Sequence, residues 1–417
     1  MLRILRQRSF GLLWTAGLIS MIGDWVLFVG LPVEVYRRTG STLATAGMLL
    51  VSLVPTIVFG SIAGVFVDRW DRRRLMVVVN VLLAITLLPL LAVDALGIWI
   101  AYAVLAIASS LEQLFEPAEV ALLPNLLEGG EADLVTANAL SGMNRQLARI
   151  VGPAIGGVAL AVGGLSLVTF LDAASFIVAA ALILAIRTER GRAAHSAGHE
   201  SVEHEALSVF ARLRHEWREG LGIVRRHPVL RALLVFMVIT RIGEGLTGTL
   251  FVPWATDALH TNAAGYGSLL STQAIGGVVG AFLIGRYGKR VDPLRLLIGS
   301  SVTFGLIDLV LFTYPAFYPV LAPALVMMVI VGVPAVAIGA AATTLQQAST
   351  VDRQRGRVVG AMMAVGAIGS LVGAGGAGVL GEVVPVIPLL IVQGGGYVAA
   401  GLTVWRLTRG KPVAQPA

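Results

Sequence analysis

The run Ile19-Ser20-Met21-Ile22-Gly23-Asp24, inside the apolar stretch from Phe10 to Tyr36, returns as Ile239-Thr240-Arg241-Ile242-Gly243-Glu244, inside the stretch from Val229 to Ala258. The second acid falls 220 positions after the first. A basic run behaves the same way: Arg69-Trp70-Asp71-Arg72-Arg73 is echoed by Arg286-Tyr287-Gly288-Lys289-Arg290, 217 positions on. Two matches at nearly one offset, each at the same place in its half, indicate one unit written twice in the same direction.

The composition around these runs sets the solvent. Of 417 residues, 56% are hydrophobic and 13% charged, with mean hydropathy +0.84. Soluble domains carry about a quarter charged residues, so a water-soluble enzyme is excluded. There is no cysteine, which removes disulfides, thiolate chemistry and cysteine-ligated zinc. The 49 glycines suit helices packed closely within a lipid bilayer.

A bilayer core takes about 20 apolar residues per helix. Twelve stretches qualify: Phe10 to Tyr36, Leu43 to Val67, Leu75 to Val93, Ile98 to Leu123, Ala137 to Val162, Leu165 to Arg187, Val229 to Ala258, Tyr266 to Gly285, Leu294 to Tyr314, Val320 to Gln347, Val358 to Leu380 and Val384 to Trp405. Gly163 and Gly164 leave room only for a turn between spans five and six, as does the short join between seven and eight, so these neighbours are expected as antiparallel hairpins. The expected fold is an all-α integral membrane protein with twelve transmembrane helices in two parallel six-helix pseudo-repeats.

The net charge of +7 and pI near 10.2 would suggest nucleic acid in a soluble protein. Here 26 of the 31 basic residues fall on one set of loops, nine of them from Arg187 to Arg231. Basic residues collect on the cytoplasmic side, so both termini are expected there, in the cell membrane, and no nucleic-acid partner is implied. Arg37 and Arg38, at the outer end of span one, are the exceptions. The opening MLRILRQRSF resembles a signal peptide, but the following run is too long and lacks a small-residue cleavage site, so it reads as a retained helix.

The polar stretch Thr188 to Pro228 separates a first bundle, residues 1–187, from a second bundle and short tail, 229–417. It contains five of the six histidines. His195, His199 and His204 have no cysteine to support a metal site, and the segment reads as a solvated linker. Its later part spaces Leu207, Phe210, Leu213, Trp217, Leu221 and Val224 by three or four residues, the pattern of an amphipathic helix on the cytoplasmic interface. Neither a metal nor a cofactor is expected.

The loop after span two reads Gly64-Val65-Phe66-Val67-Asp68-Arg69-Trp70-Asp71-Arg72-Arg73. An acid followed by a fan of guanidiniums can form interhelical ion pairs and hydrogen bonds that latch one conformation; alternatively, Arg72 to Arg74 only anchor the loop inside. With the duplicated six-span plan, this pattern resembles the major facilitator superfamily over essentially the whole chain. In that reading Gly64, Asp68, Arg69, Arg72 and Arg73 form the conformational latch. The second copy has Gly285 where Asp68 stands, so its latch should be weaker. Span five carries Gly152-Pro153-Ala154-Ile155-Gly156-Gly157, similar to the antiporter motif of drug exporters, although Ala139 and Ala148 stand where that pattern expects glycines. Ordinary close packing explains these glycines equally well. Gly23-Asp24, Glu116-Pro117-Ala118, Leu122-Leu123-Pro124 and Ala137-Asn138-Ala139-Leu140 resemble the macrolide-efflux and enterobactin-exporter branch.

Ionisable groups at membrane depth are costly and therefore functional candidates. Asp24, Glu112 and Glu244 fall near mid-span. Glu112 and Glu116 share a helix face, with Glu119 a further turn on, and carboxylates so close favour proton uptake. The resemblance implies that spans one, four, seven and ten line a central chamber, placing Asp24, Glu112, Glu116 and Glu244 around it. Arg241 either neutralises Glu244 or serves the substrate. Arg145 and Arg149 either pair statically with the span-four glutamates or exchange partners during transport. Asp172 and Asp308 read as structural hydrogen-bonding groups, Glu34 as solvated at the outer mouth. Trp14, Trp25, Phe28, Phe115 and Trp254 either wall a ligand site or pack.

The function expected is a secondary transporter that exports an amphipathic drug or antibiotic by proton antiport and alternating access, acting as a monomer. Its partners are a small-molecule substrate, protons and the lipid bilayer. Export of an endogenous metabolite such as a siderophore is the alternative, with a non-transporting membrane binding protein a further one. No catalytic constellation marks an enzyme.

Overall fold

Close helix–helix contacts organise the molecule, because in lipid the apolar side chains gain little by leaving the solvent and packing has to hold the bundle. The computed structural model describes residues 2–59, 70–127, 130–186 and 217–409, and these are mostly helical, with no strand among them. In chain order the long helices are α1 Arg8–Thr39, α2 Thr42–Phe59, α3 Arg72–Leu87 and α4 Trp99–Leu122. Gly130–Leu184 is broken at Gly164 into arms α5 and α6. Then follow α7 Pro228–Pro253, α8 Ala263–Tyr287, α9 Pro293–Thr313, α10 Leu321–Ala348, α11 Asp352–Leu380 and α12 Val386–Thr408.

Eight stretches among the described residues are long and apolar enough to cross a membrane, and one of them is the α5–α6 pair. The remaining expected spans are α2, described only as far as Phe59, and α4 and α7, which carry the intramembrane acids and Arg241. Each expected span therefore has its helix, with ends moved by a few residues. Span seven, for example, closes in a π-helical turn, Trp254–Ala258. Gly164 has φ +63°, a left-handed conformation that glycine adopts without strain, which breaks the helix where the paired glycines predicted.

The contacts make the duplication visible. Along α1, Trp14 donates to the carbonyl of Leu140, Asn144 donates to the carbonyl of Trp14, Gly152 faces Trp25 and Gly156 faces Val26. Numbers rise together, so α1 and α5 are parallel. Gly30 meets Val168 whereas Gly23 meets Asp172 and Ser175, so α6 runs the other way. In the second half Gly369 faces Arg241 and Val238, Gly373 faces Ile242, and Gly245 faces Ser370, making α7 and α11 parallel. Ile239 faces Gly396 and Gly243 faces Gln393, making α12 antiparallel to α7. Each half repeats one internal arrangement.

Contacts divide the chain into two units. Unit one holds residues 1–40, 50–198 and 261–271, with buried Phe10, Leu13, Met76, Leu83, Leu140 and Ile183 in its core. Unit two holds residues 41–49, 199–260 and 272–417. The first turns of α2 and of α8 thus pack with the unit opposite to the rest of their helices. Glu382 accepts hydrogen bonds from Ser41 Oγ at 2.6 Å and the Leu43 N–H at 3.0 Å, tying the start of α2 into unit two. Gly157 meets Ala263, and Gly267 meets the Pro153 carbonyl, in unit one.

The expectation for Glu34 changes, and the expected interfacial helix is described only in its last part. The amphipathic helix expected on the membrane interface is described only from residue 217, and residues 217–226 are helical. There Val224 is fully buried in a cluster with Leu230, Leu233, Leu297, Leu345 and Val358, and Glu219 pairs with Arg357 of α11. Gly220 lets the backbone of this segment lie directly on the Arg357 carbonyl, while Arg218, Arg225 and Arg226 are exposed. The linker histidines lie outside the described residues. Glu34, expected to be solvated, is buried and accepts from Arg37 and Arg38 at 2.6–2.8 Å, and Arg38 also reaches Asp94 at 2.6 Å. Two cations and two anions form one compensated cluster, which accounts for basic residues in the last turn of α1.

Candidate functional site

Among the described residues, each unit holds a cluster around the acid of its repeated run, Asp24 in unit one and Glu244 in unit two. In unit one, Asp24 of α1 lies within electrostatic reach of Glu112 of α4 and Asp172 of α6. Glu112 and Glu116 are exposed, Asp24 is half-buried, and Asp172 is 1% exposed. The carboxylates therefore descend from an accessible helix face into the interior. Gly23 creates this juxtaposition: a Cβ there would collide with Asp172 Oδ1 and the Ser175 hydroxyl. Asp172 Oδ1 has Ser175 Oγ at 3.4 Å, while Oδ2 has no hydrogen-bond partner. The helix-four acids divide, with Glu119 feeling both Glu116 and Arg145 of α5. Arg145 and Arg149 are exposed, one turn apart on α5.

The cluster in unit two is differently built. Arg241 donates to Glu244 Oε2 at 2.7 Å, and Tyr397 of α12 donates its hydroxyl to Glu244 Oε1 at 2.9 Å. Deeper, Gln393 of α12 donates to Asp308 Oδ2 of α9 at 2.7 Å, both residues being almost fully buried. Ser301 of α9 donates to the Tyr397 carbonyl at 2.7 Å and fixes α12 against α9. Glu244 thus has both a cation and a neutral donor, and Asp308 has an amide. Tyr397 and Gln393 could not be picked out from sequence, since an isolated Tyr or Gln in an apolar run carries no periodic signal. The repeat offset is the one clue, for Gln393 stands 221 positions after Asp172.

Gly64, Asp68 and Arg69 of the expected latch lie outside the described residues. Asp71 caps α3 by accepting the Arg74 N–H at 2.8 Å, which aims the two preceding guanidiniums sideways. Arg72 donates to the Ala121 carbonyl at the end of α4 at 2.8 Å, and Arg73 to the carbonyls of Ile183 and Leu184 at the end of α6. Helix C-termini present unpaired carbonyls at the negative end of the dipole, and here two guanidiniums satisfy them. The loop thereby binds three helix ends together within unit one.

The glycines of span five serve two neighbours. Gly152 lies against Trp25 and Gly156 against the Val26 backbone, while Gly157 lies against Ala263 at the start of α8. Among the aromatic candidates Trp254 is fully buried, stacked on Phe251 at 5.5 Å between centroids, and so packs. Trp14 pins α5 through its indole N–H. Phe28 is exposed and meets Trp25 edge-on at 4.9 Å. Among the described residues no group of three His, Asp or Glu side chains is arranged to hold a metal ion.

The backbone arrangement has many solved counterparts. A bacterial homologue of the iron transporter ferroportin, in its inward-facing state, superposes with a TM-score of 0.72 over 98% of this chain and 99% of the other, at 13% identity. A peptide transporter in complex with alafosfalin gives 0.71, again at 13% identity, over 97% of this chain and 96% of the other. Among curated proteins, the multidrug efflux pump Tap of Mycolicibacterium fortuitum is 30% identical over 359 residues, covering 83% of each chain. Macrolide efflux protein A of Streptococcus pyogenes is 23% identical over 301 residues, covering 72% of this chain and 71% of that one. The family model described as transmembrane secretion effector matches residues 2–411. With the duplicated helical bundle, its intramembrane charges and this match over nearly its whole length, the chain belongs to the transmembrane secretion effector family of the major facilitator superfamily: it is a multi-pass membrane transporter of a small molecule, not an enzyme.

Proposed function

We propose that the protein exports an amphipathic small molecule, a drug or antibiotic, across the cytoplasmic membrane in exchange for protons. The observation that carries this reading is the group of acids in unit one. Asp24 and Glu112 come from different helices, lie at membrane depth within electrostatic reach of each other, and span the step from accessible to half-buried. Carboxylates so arranged exchange a proton readily, because each disfavours the other's charge. The efflux names of the Tap and macrolide relatives support the direction. In the cycle, a proton taken up from outside by this group displaces the substrate and is released inside as the two six-helix halves, residues 1–187 and 229–417, alternate access. Both termini lie in the cytoplasm, and the working unit is a monomer. Glu116 widens the acidic face, while Arg145, Arg149 and the Arg241–Glu244 pair set its polarity. Asp68 and Arg69 join Arg72 and Arg73 as a latch, and Gly152, Pro153, Gly156 and Gly157 let α5 slide closely against α1.

The test is accumulation of a panel of dyes and antibiotics in cells lacking their own pumps, with and without an uncoupler. Uncoupler-sensitive exclusion that Asp24→Asn and Glu112→Gln abolish is the expected result. Exclusion that survives both substitutions overturns the coupling role. Absence of any exclusion by the parent protein overturns drug export and points to a narrow metabolite exporter.

A further inference from the structure

The two repeats can be compared partner by partner, and both side chains that satisfy Glu244 in unit two are replaced by apolar residues in unit one. Glu244 and Asp24 are equivalent by the 220-residue offset. Glu244 has Arg241, whose equivalent is Met21, and Tyr397, whose equivalent at an offset of 221 is Phe176. Gln393 is equivalent to Asp172, and both pack on the glycine before the α1 or α7 acid, Gly23 or Gly243. Gln393 has Asp308, whose equivalent is the buried Leu87 on α3. In unit two both acids thus accept hydrogen bonds from neighbouring side chains, and unit one contains Asp172 where Gln393 stands, with Leu87 where Asp308 stands.

We infer that Asp172 on α6 binds the coupling proton at the inner end of the acid ladder, taking it from Glu112 by way of Asp24. The inference rests on the proton-antiport reading and assigns to it a residue that the sequence marked as merely structural. Asp172 is 1% exposed, and Oδ2 has no partner. Its one hydrogen-bonding neighbour, Ser175, has a single proton and already donates it to the Asp172 carbonyl at 2.8 Å, leaving the carboxyl only a 3.4 Å contact. An unpartnered carboxylate in a dry interior is among the costliest arrangements a protein holds, and binding a proton removes the charge. Among the described residues, the side chains that act on Asp172 are Glu112 and Ser175, neither of them a cation. From α1 the neighbouring charge is Asp24, and from α4 Glu112, both of the same sign. Between Leu75 and Leu87 α3 contains no titratable residue, and α6 has no other charged residue between Leu165 and Leu184. On α5 the cations are Arg145, which acts on Glu119, and Arg149 one turn further. One turn back along α6, Thr169 Oγ1 is a second buried atom without a partner.

Proton binding can be read without knowing the substrate. Purified full-length protein in detergent is titrated through the neutral range while infrared difference spectra record the carbonyl stretch of protonated carboxyls. The expected result is a titrating carboxylic-acid band that Asp172→Asn removes, Asp172→Glu restores at a shifted position, and Asp308→Asn leaves in place. A band unchanged in Asp172→Asn overturns the inference, and so does loss of the band in Asp308→Asn alone. The same variants in liposomes separate this from the broader reading, with ethidium as the probe. Wild-type protein that titrates at Asp172 but moves no ethidium under a pH gradient refutes drug antiport while leaving the proton site standing. Uphill ethidium transport that persists in Asp172→Asn refutes the proton site.

Discussion

Replacing Gly156 with alanine tests the apposition on which the first unit is built. A Cβ at this position would stand 2.8 Å from both Cα and the carbonyl oxygen of Val26. Carbon atoms rest at about 3.5 Å, so α1 and α5 must part by about 0.7 Å, and backbone has no rotamer with which to give way. Overpacking of this kind costs about 1–3 kcal/mol. Alanine also favours the helix over glycine by about 0.5–1 kcal/mol, which opposes the loss. Gly360 on α11 isolates that second effect, since its Cβ would meet open space. Propensity cancels in the difference between the two variants, and Gly156→Ala should be less stable than Gly360→Ala by about 1–3 kcal/mol. The assay is reversible denaturation of both variants in one detergent, followed by helical circular dichroism. Equal stabilities, or a more stable Gly156→Ala, would show that α1 and α5 do not meet backbone to backbone and would remove the packing role of the span-five glycines.

Two further outcomes follow from particular contacts. The Asp308–Gln393 pair should couple: Gln393→Leu leaves a buried carboxyl alone, whereas the double replacement Asp308→Leu with Gln393→Leu leaves nothing to satisfy. Cycles between membrane helices average about 0.6 kcal/mol and reach about 1.7, and near-complete burial places this pair at the upper end, so a coupling of zero would count against it. Glu382, outside the spans, has its carboxyl held below the usual glutamate range by the Leu43 N–H and then by the Ser41 and Thr42 hydroxyls. A depressed carboxyl stabilises the fold above its unfolded value and ceases to do so as pH falls through its folded one. The tie at the start of α2 should therefore hold at neutral pH and loosen in acid below the ordinary glutamate range, and Glu382→Gln should flatten that part of the stability–pH profile. An unchanged profile refutes the cap.

The twelve spans, the duplication and the family motifs were legible in the chain because bilayer thickness and backbone hydrogen bonding impose them locally: a run of about 20 apolar residues has one way to satisfy its peptide groups in lipid. Asp24, Glu112 and Glu244 stand out in the chain for a similar reason, as charges within long apolar runs. Local sequence did not distinguish a satisfied acid from an unsatisfied one. Glu244 and Asp24 look alike in their six-residue runs, yet one is held by Arg241 and by Tyr397, 153 residues away, whereas among the described residues the charges that act on the other are the carboxylates of Asp172 and Glu112. Glu34 looked solvated, and its burial depends on Arg38 bridging to Asp94, 56 residues on. Asp172 gained its importance from Gly23, which brings α6 against α1, and from partners absent on α3 and α6 itself. What the sequence alone determined is where helices run and which charges stand inside their apolar runs, since both are set within one span. Which charges are neutralised was decided only by tertiary structure, because the energy of a buried charge depends on groups that the fold brings from other helices.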